Sequence, residues 1–471
     1  MSESKFDLAV IGAGPGGYVA AIRAAQLGLN VVLIEREHLG GVCLNWGCIP
    51  TKALLRNAEV ARLLTDGGKE FGFNAEAVTL DYAAAVDRSR KISARLVKGV
   101  ESLLKGNHVE VLWGTGALSH GDGDRVNVTV ALNDGGTQTI TAQSVILATG
   151  SHAAMIPGVT LDGVRVLAAR DALARRELPK SAIIIGAGPI GLEFATVWRS
   201  YGAEVTVVEM LDHVLPAEDE EAAVELARSL RRMKIAALTS TRLESITPTA
   251  TGVSVQVNGP KGVQTLEAEV ALCAIGVRPN SDGLGLEALG VATERGWVKV
   301  DGWMRTSVPN VYAIGDLNGL LPLAHVASAQ ALLAVETIAG QTVAPFDVAA
   351  MPRGVYTSPQ VASFGLSEAK AQAQGLAVRV GKFPFIANGK ALGLGENGGF
   401  AKIVAEEAGG KIVGAVVVGA EATELLPELL LAHTAGLSPD AIAHTVHAHP
   451  TLNEVLMEAA HSVFGKAIHT I

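Results

Sequence analysis

The chain has 471 residues, 49% of them hydrophobic and 18% charged, with a formal net charge of −9. That length is enough for about three domains of roughly 100–200 residues each, and so apolar a composition supports a large core and excludes a disordered chain. The negative balance argues against nucleic acid as the main partner, and three cysteines are too few for a disulfide framework.

The first residues, Met1-Ser-Glu-Ser-Lys-Phe-Asp7, have no cationic segment leading into an apolar run, so no secretory signal is expected. The apolar stretch from Leu8 to Ile34 is interrupted by Gly-Ala-Gly-Pro-Gly-Gly and by Arg23, which does not suit a membrane span. A reducing, cytoplasmic setting is expected, where a cysteine pair is more often catalytic or metal-binding than structural.

In chain order, Phe6 to Ile11 reads as a strand, Gly12-Ala-Gly14-Pro-Gly-Gly17 as a turn and Tyr18 to Leu27 as a helix stopped by Gly28. Val31 to Ile34 then reads as a second strand ending at Glu35. This is a βαβ unit with a glycine-rich loop. Val109 to Leu132 alternates apolar and polar residues as antiparallel hairpins do, and Val145-Ile-Leu-Ala-Thr-Gly150 is a buried-strand-like run. The βαβ grammar then returns: strand Ala182 to Ile185, turn Gly186-Ala-Gly188-Pro-Ile-Gly191, helix Leu192 to Tyr201, and strand Val205 to Val208 before Glu209. Leu243 to Ala271 is again hairpin-like, and Val311-Tyr-Ala-Ile-Gly-Asp316 is another buried-strand-like run. After Pro352, Val355 to Phe364, Val378 to Phe385, Phe400 to Ala405 and Ile412 to Val418 read as strands. Glu421 to Ala435, Pro439 to His444 and Leu452 to Phe464 read as helices. The last part is an α+β domain with no nucleotide loop.

Each loop has the chemistry of a dinucleotide site. Gly12 permits the tight turn, Gly14 lets a pyrophosphate approach the backbone, and Gly17 lets helix and sheet pack closely. The phosphate then meets the unpaired N–H groups and positive end of the helix, and Glu35 can accept a ribose hydroxyl. Gly186, Gly188, Gly191 and Glu209 repeat the pattern. Glu209 is followed by Met-Leu-Asp rather than by Arg or Lys, so it suits a free 2′-hydroxyl and repels a 2′-phosphate, favouring NAD over NADP.

Cys43 and Cys48 lie in Gly41-Val-Cys-Leu-Asn-Trp-Gly-Cys-Ile-Pro-Thr-Lys52, just after the first acid. A structural bridge and half of a metal site are the plain alternatives. Zinc would want four ligands at recognisable spacing, and none is near. In a regular helix residues five apart are too distant for a disulfide, whose Cα atoms usually lie within about 6.8 Å, so helix geometry must break here, and Gly47 can allow that. A bridge over so short a loop stabilises little, so a chemical role is the better reading. Cys273, in an apolar strand, reads as a small core residue. Near the C-terminus stands His447-Ala-His449-Pro-Thr-Leu-Asn-Glu454. A histidine moves protons near neutral pH, and the carboxylate five residues on can fix its tautomer.

With the glycine loops, the Cys-Leu-Asn-x-Gly-Cys-Ile-Pro segment, Ala148-Thr-Gly150, Ala274-Ile-Gly-Val-Arg-Pro-Asn280, Ala313-Ile-Gly-Asp316 and the closing His-x-His-Pro-Thr-x-x-Glu, the chain resembles the flavoprotein disulfide reductase family over nearly its whole length. Within that family it is most similar to the branch that oxidises dihydrolipoamide. The resemblance implies an α/β fold of two Rossmann-like dinucleotide-binding domains and a C-terminal α+β dimerisation domain. The domains implied are 1–150 for FAD, 151–279 for NAD, 280–350 completing the FAD site and 351–471 for the dimer interface. FAD would touch Gly12, Gly14, Gly17, Glu35, Lys52, Thr149, Gly150, Asp316 and Ala324. NAD would lie near Gly186, Gly188, Gly191, Glu209 and Gly276.

The resemblance further implies that Cys43 and Cys48 alternate between dithiol and disulfide, and that Lys52 sits by the flavin with Glu193 as its carboxylate partner. His449 and Glu454 would be the catalytic base pair, serving the cysteines of the other subunit in a homodimer. The partner implied is a lipoylated carrier, expected to be a separate protein because no lipoyl domain leads the chain. The carrier could belong to a 2-oxo acid dehydrogenase complex, the glycine cleavage system or another lipoyl protein. No metal is implied.

Four positions depart from the family pattern: Trp46 where Val is frequent, Thr51 where Ser is frequent, Val326 where Lys is common, and Asn453 where Ser is usual. Val326 is expected near the flavin. Among rivals, glutathione reductase wants cations where Glu209-Met-Leu-Asp212 stands, and mercuric reductase brings an extra C-terminal cysteine pair that is absent. A non-catalytic flavin-bearing assembly subunit would not need the cysteine and His–Glu pairs. A flavin transhydrogenase would keep NADH oxidation without the cysteines.

Overall fold

The computed structural model describes residues 4–469 apart from 69, 76 and 409. The chain forms two compact units, each assembled from separated segments. One comprises Met1–Ala53, Val86–Ala154 and Val277–Val348, the other Leu54–Ala85, Met155–Gly276 and Ala349–Ile471.

In the first unit, β1 (Ser4–Ile11) lies between β2 (Val31–Glu35) and β5 (Thr137–Leu147), parallel to both. Strand Val311–Ala313 adds in parallel to the far side of β5. β2 pairs in parallel with β3 (Glu110–His120), and β3, β4 (Val126–Leu132) and β5 form an antiparallel meander, the expected hairpins. β2 is buried at all five positions, as strands covered on both faces are. Side chains alternate between the two faces. Leu8, Val10, Leu33 and Ile146 join the core that α1 (Pro15–Gln26) covers with Ala20, Ala21 and Ala24. Ala9, Ile11, Val32 and Ile34 join the core on the other face.

Local pattern did not reveal everything. Residues 54–108, where the sequence pattern announces no element, hold the end of α3 (Cys48–Arg62) and all of α4 (Tyr82–Gly106), a 25-residue helix. α4 buries Tyr82, Ala85, Val86, Val100 and Leu104, but the stripe between them is interrupted by buried Ser89 and Ser93, while Leu96 and Leu103 are exposed, so the apolar periodicity is weak.

In the second unit, strands Ser181–Ile185, Glu204–Val208, Val270–Cys273, Ala236–Leu238 and Val166–Leu167 make a wholly parallel sheet. A three-stranded antiparallel sheet, Arg242–Pro248, Val253–Gly259 and Gly262–Ala268, follows the second expected hairpin region. The C-terminal part is a five-stranded antiparallel sheet in the order Arg353–Val355, Gln360–Gly365, Ile412–Gly419, Phe400–Glu406, Val378–Pro384. Helices Ala422–Thr434 and Glu454–Ser462 bury Leu426, Leu429, Val455 and Leu456 in one core with Phe364, Phe383 and Phe385 of that sheet region.

A charge cluster built on buried Lys402 and Asp219 joins this sheet to helix Glu220–Arg232, with exposed Glu221 at its edge. Lys402, only 3% exposed, places Nζ 2.7 Å from Asp219 and 2.6 Å from Glu221. Asp219 also caps that helix by accepting the N–H of Glu221. Among the described residues no helix is long and apolar enough to cross a membrane.

Candidate active site

The two glycine loops are superposable in their chemistry. A Cβ added at Gly12 would lie 2.3 Å from the Ala148 carbonyl oxygen, and one at Gly17 only 1.7 Å from that of Gly12. In the second loop the corresponding approaches are 2.4 Å from Ala274 at Gly186 and 2.1 Å from Gly186 at Gly191. At Gly14 and Gly188 an added Cβ would meet nothing within 4 Å. These two glycines face open space, while the outer two pack backbone on backbone, so the middle position leaves the backbone open to close approach by a group such as a phosphate. Each N-cap, Gly14 or Gly188, makes no side-chain cap bond, and the first turns carry no acid. Their N–H groups and positive helix ends are therefore suited to an anion.

The strand-end acids hold their own loops, a task the sequence reading did not give them. Glu35 accepts the Ala13 N–H at 2.7 Å on one oxygen and the N–H groups of Glu37 (2.7 Å) and His38 (3.2 Å) on the other. Glu209 accepts Ala187 N–H at 2.7 Å and Leu211 N–H at 2.9 Å. A carboxylate has about four lone-pair sites, so capacity remains for a ribose hydroxyl.

Downstream of Glu35, α2 (Gly41–Trp46) ends at Gly47 and α3 begins at Cys48, so the helix breaks between the cysteines as expected. A Cβ at Gly47 would lie 3.1 Å from the Val42 carbonyl oxygen. Thr51 closes the break by donating its hydroxyl to the Gly47 carbonyl at 2.7 Å, a bond serine can also make. Cys43 and Cys48 are both thiols here, hydrogen-bonded to each other. That bond, then burial and the charge of Cys48, push the Cys43 thiol far up, with Lys52 acting the other way. Tyr18 adjoins the pair: burial, then the charge of Cys43, raise its hydroxyl.

The remaining first-unit candidates form a polar rim. Thr149 donates its hydroxyl to the Asn280 carbonyl at 2.8 Å, and the Asn280 amide returns a bond to the Thr149 carbonyl at 2.9 Å. Asn280 N–H donates to the Gly150 carbonyl at 3.0 Å. Asp316 is raised by burial, partly offset by the Ser151 hydroxyl that donates to it at 2.6 Å. Ala324 opens helix Ala324–Ile338, in which Val326 is fully buried.

The second unit holds the other candidates. Glu193, 3% exposed, accepts the Tyr356 N–H at 3.1 Å. Gly276 follows strand Val270–Cys273 at φ 112°. Cys273 is buried in that strand, its thiol pushed up to about 11 by burial.

His449 and Glu454 meet as the spacing anticipated, Nδ1 to Oε1 at 2.9 Å. Burial works to raise Glu454, but bonds from His449 and the Thr451 N–H outweigh it and hold the carboxyl below its usual range. An ionised Glu454 accepts a hydrogen bond from Nδ1–H, which leaves the lone pair on Nε2, on a side chain that is 80% exposed.

The residue that reading missed is Glu428. It accepts from His447 Nε2 at 2.9 Å on one oxygen and from the Asn453 amide at 3.0 Å on the other, while His447 Nδ1 faces the Thr445 carbonyl at 2.8 Å. Asn453, a departure from the family pattern, thus ties the turn beneath His449. Only the tertiary contact identifies Glu428, which stands among many acids in the sequence. Among the described residues no group of three or more His, Cys, Asp or Glu is placed to hold a metal ion.

Residues 6–331 match the pyridine nucleotide-disulphide oxidoreductase family model, and residues 351–460 match the dimerisation domain of the same family. A dihydrolipoyl dehydrogenase of Mycobacterium tuberculosis is 47% identical over 466 residues, covering 98% of this chain and 99% of the relative. One of Chlorobaculum tepidum is 46% identical over 459 residues, covering 97% of each. Among solved structures, LpdA from Mycobacterium tuberculosis superposes with a TM-score of 0.91 at 30% identity, covering 97% of this chain and 99% of that one. With both halves matched and the glycine loops, thiol pair and His–Glu pair in place, the chain belongs to the pyridine nucleotide-disulphide oxidoreductase family.

Proposed function

We propose that the chain is a dihydrolipoyl dehydrogenase, an NAD-dependent oxidoreductase that converts carrier-bound dihydrolipoamide to lipoamide. The observation that carries this reading is the Cys43–Cys48 thiol pair, in mutual hydrogen-bond contact directly after a complete dinucleotide loop. FAD is assigned to the first loop, with Gly12, Gly14, Gly17, Glu35, Lys52, Thr149, Gly150, Asp316 and Ala324 around it. NAD is assigned to the second, with Gly186, Gly188, Gly191, Glu209 and Gly276. Domains at 1–150, 151–279, 280–350 and 351–471 are the division this assignment uses. When bound, the flavin supplies the conversion of two-electron thiol chemistry into hydride chemistry with NAD.

The residues divide the remaining work. His449 Nε2 takes a proton from a substrate thiol, because the thiolate is the nucleophile. Glu454 holds the Nδ1 proton and stabilises the imidazolium that forms. The thiolate attacks Cys43, breaking its bond to Cys48 and releasing Cys48 as a thiolate. The second substrate thiol then attacks the substrate sulfur of the mixed disulfide, closing the lipoyl ring and freeing Cys43. Lys52 lends positive charge to the dithiol, and Glu193 is assigned as its acidic counterpart. In a homodimer, the His449–Glu454 pair of one protomer is assigned to the dithiol of the other.

Anaerobic mixing of the purified holoprotein with dihydrolipoamide and NAD tests the reading. NADH should form, and lipoylated carriers should then serve as donors. Failure to form NADH from any dithiol while NADH is still oxidised would overturn it in favour of a transhydrogenase.

A further inference from the structure

The dithiol turn carries Trp46, at a position where Val is frequent in the family pattern. The Trp46 indole has the guanidinium of Arg90, from α4, 4.7 Å from its centroid, and the His38 ring meets it edge-on at 5.6 Å and 61°. The same Arg90 donates from Nη1 to the Asn45 carbonyl. Asn45, 7% exposed, in turn donates its amide to the carbonyls of Leu39 (3.0 Å) and Gly41 (2.9 Å), at the start of α2. Asn45 lies in the last turn of α2, where carbonyls lack intrahelical partners and the helix dipole is negative, so a cation there satisfies an orphan acceptor. A planar guanidinium can do this while stacking on an indole, which an ammonium does less well.

We propose that Arg90 is a positioning residue for the dithiol. By gripping the Asn45 carbonyl and the Trp46 face together, it fixes the turn Asn45-Trp46-Gly47 between the two sulfurs. A disulfide demands a narrow geometry and a dithiol does not. Ordering the intervening turn before the bond forms therefore favours the disulfide, because less chain entropy is lost on closure. The inference rests on the dithiol role proposed for Cys43 and Cys48.

The test is the equilibrium constant for disulfide formation in the holoprotein, measured in glutathione buffers by acid quench, alkylation and mass analysis. In that exchange Cys43 and Cys48 lose two protons and two electrons and form one S–S bond, and one glutathione disulfide becomes two glutathione thiols. Arg90→Ala should lower the constant about fivefold, equivalent to about 20 mV. Trp46→Val, which keeps the hydrogen bond, and Arg90→Lys, which loses the planar stack, should each fall between Arg90→Ala and the parent. If Arg90→Ala does not fold, these two variants decide. Parent-like constants in the folded variants would overturn the positioning role and leave the proposed function intact. A parent protein that forms no Cys43–Cys48 disulfide in any buffer would overturn both.

Discussion

His449 Nδ1 lies 2.9 Å from Oε1 of Glu454, whose other oxygen accepts the Thr451 N–H at 2.9 Å. One carboxylate thereby sets the tautomer of the imidazole and anchors the turn that presents it. His449→Gln should slow reduction by dihydrolipoamide by ~10²–10⁴-fold, the usual contribution of a positioned base, while NADH-driven reduction stays near the parent rate. Rapid-mixing measurement of each half-reaction checks this, and equal slowing of both would remove His449 from the role.

The same pair has a defined pH response. The Glu454 carboxyl is held below its usual range against burial by its two hydrogen bonds. The stabilisation it lends is therefore fully present above the unfolded value of about 4.3 and is lost as pH falls through the depressed folded value. The Thr451 amide should keep its NMR position down to that acid range and shift below it. In Glu454→Gln no such acid transition should remain at that amide.

Cys43→Ser and Cys48→Ser should each abolish dihydrolipoamide turnover while the yellow cofactor stays bound, because neither sulfur is needed to hold the glycine loop. Cys273→Ser should leave turnover near the parent level, since that thiol is buried in a strand and is assigned no chemistry. Turnover assays with cofactor absorbance separate the two outcomes.

Gly17→Ala and Gly14→Ala should fail differently. The first forces a methyl to 1.7 Å from the Gly12 carbonyl oxygen, so backbone must move. Such overpacking typically costs about 1–3 kcal/mol or more, and the thermal midpoint should drop. Gly14 has nothing within 4 Å, so its alanine variant should fold normally but retain flavin less well. Melting curves and flavin retention on dialysis check both. An unchanged midpoint in Gly17→Ala would contradict the packing.

Lys402→Ala should destabilise the protein by about 3–5 kcal/mol, because Asp219 stays buried without its cation. Burial works to lower Lys402, but bonds to Asp219 and Glu221 prevail and raise it. Its contribution should be complete below the unfolded value of about 10.4 and fade only as pH rises through the raised folded value. Urea unfolding across the alkaline range measures this.

Both dinucleotide loops, their terminal acids, the helix break at Gly47 and the His449–Glu454 pair were legible in the linear chain. Each depends on residues within about two dozen positions of one another, where turn geometry and spacing nearly determine the contact. Helix α4 was not legible, because Ser89 and Ser93 interrupt its buried stripe, although Asp81 caps it by accepting the Ala84 N–H at 2.9 Å. Thr149 and Asp316 were expected only as cofactor contacts, yet they also bind Asn280 and Ser151.

Sequence alone determined the chemistry: which groups can cradle phosphate, exchange disulfides or move a proton. Tertiary structure decided which distant side chains hold those groups in place. Arg90 reaches the dithiol turn, Glu428 the turn beneath His449, and Lys402 the cap of helix Glu220–Arg232. Such partners are ordinary charged residues whose pairing arises only when separated segments pack into one compact unit, so no local pattern marks them beforehand.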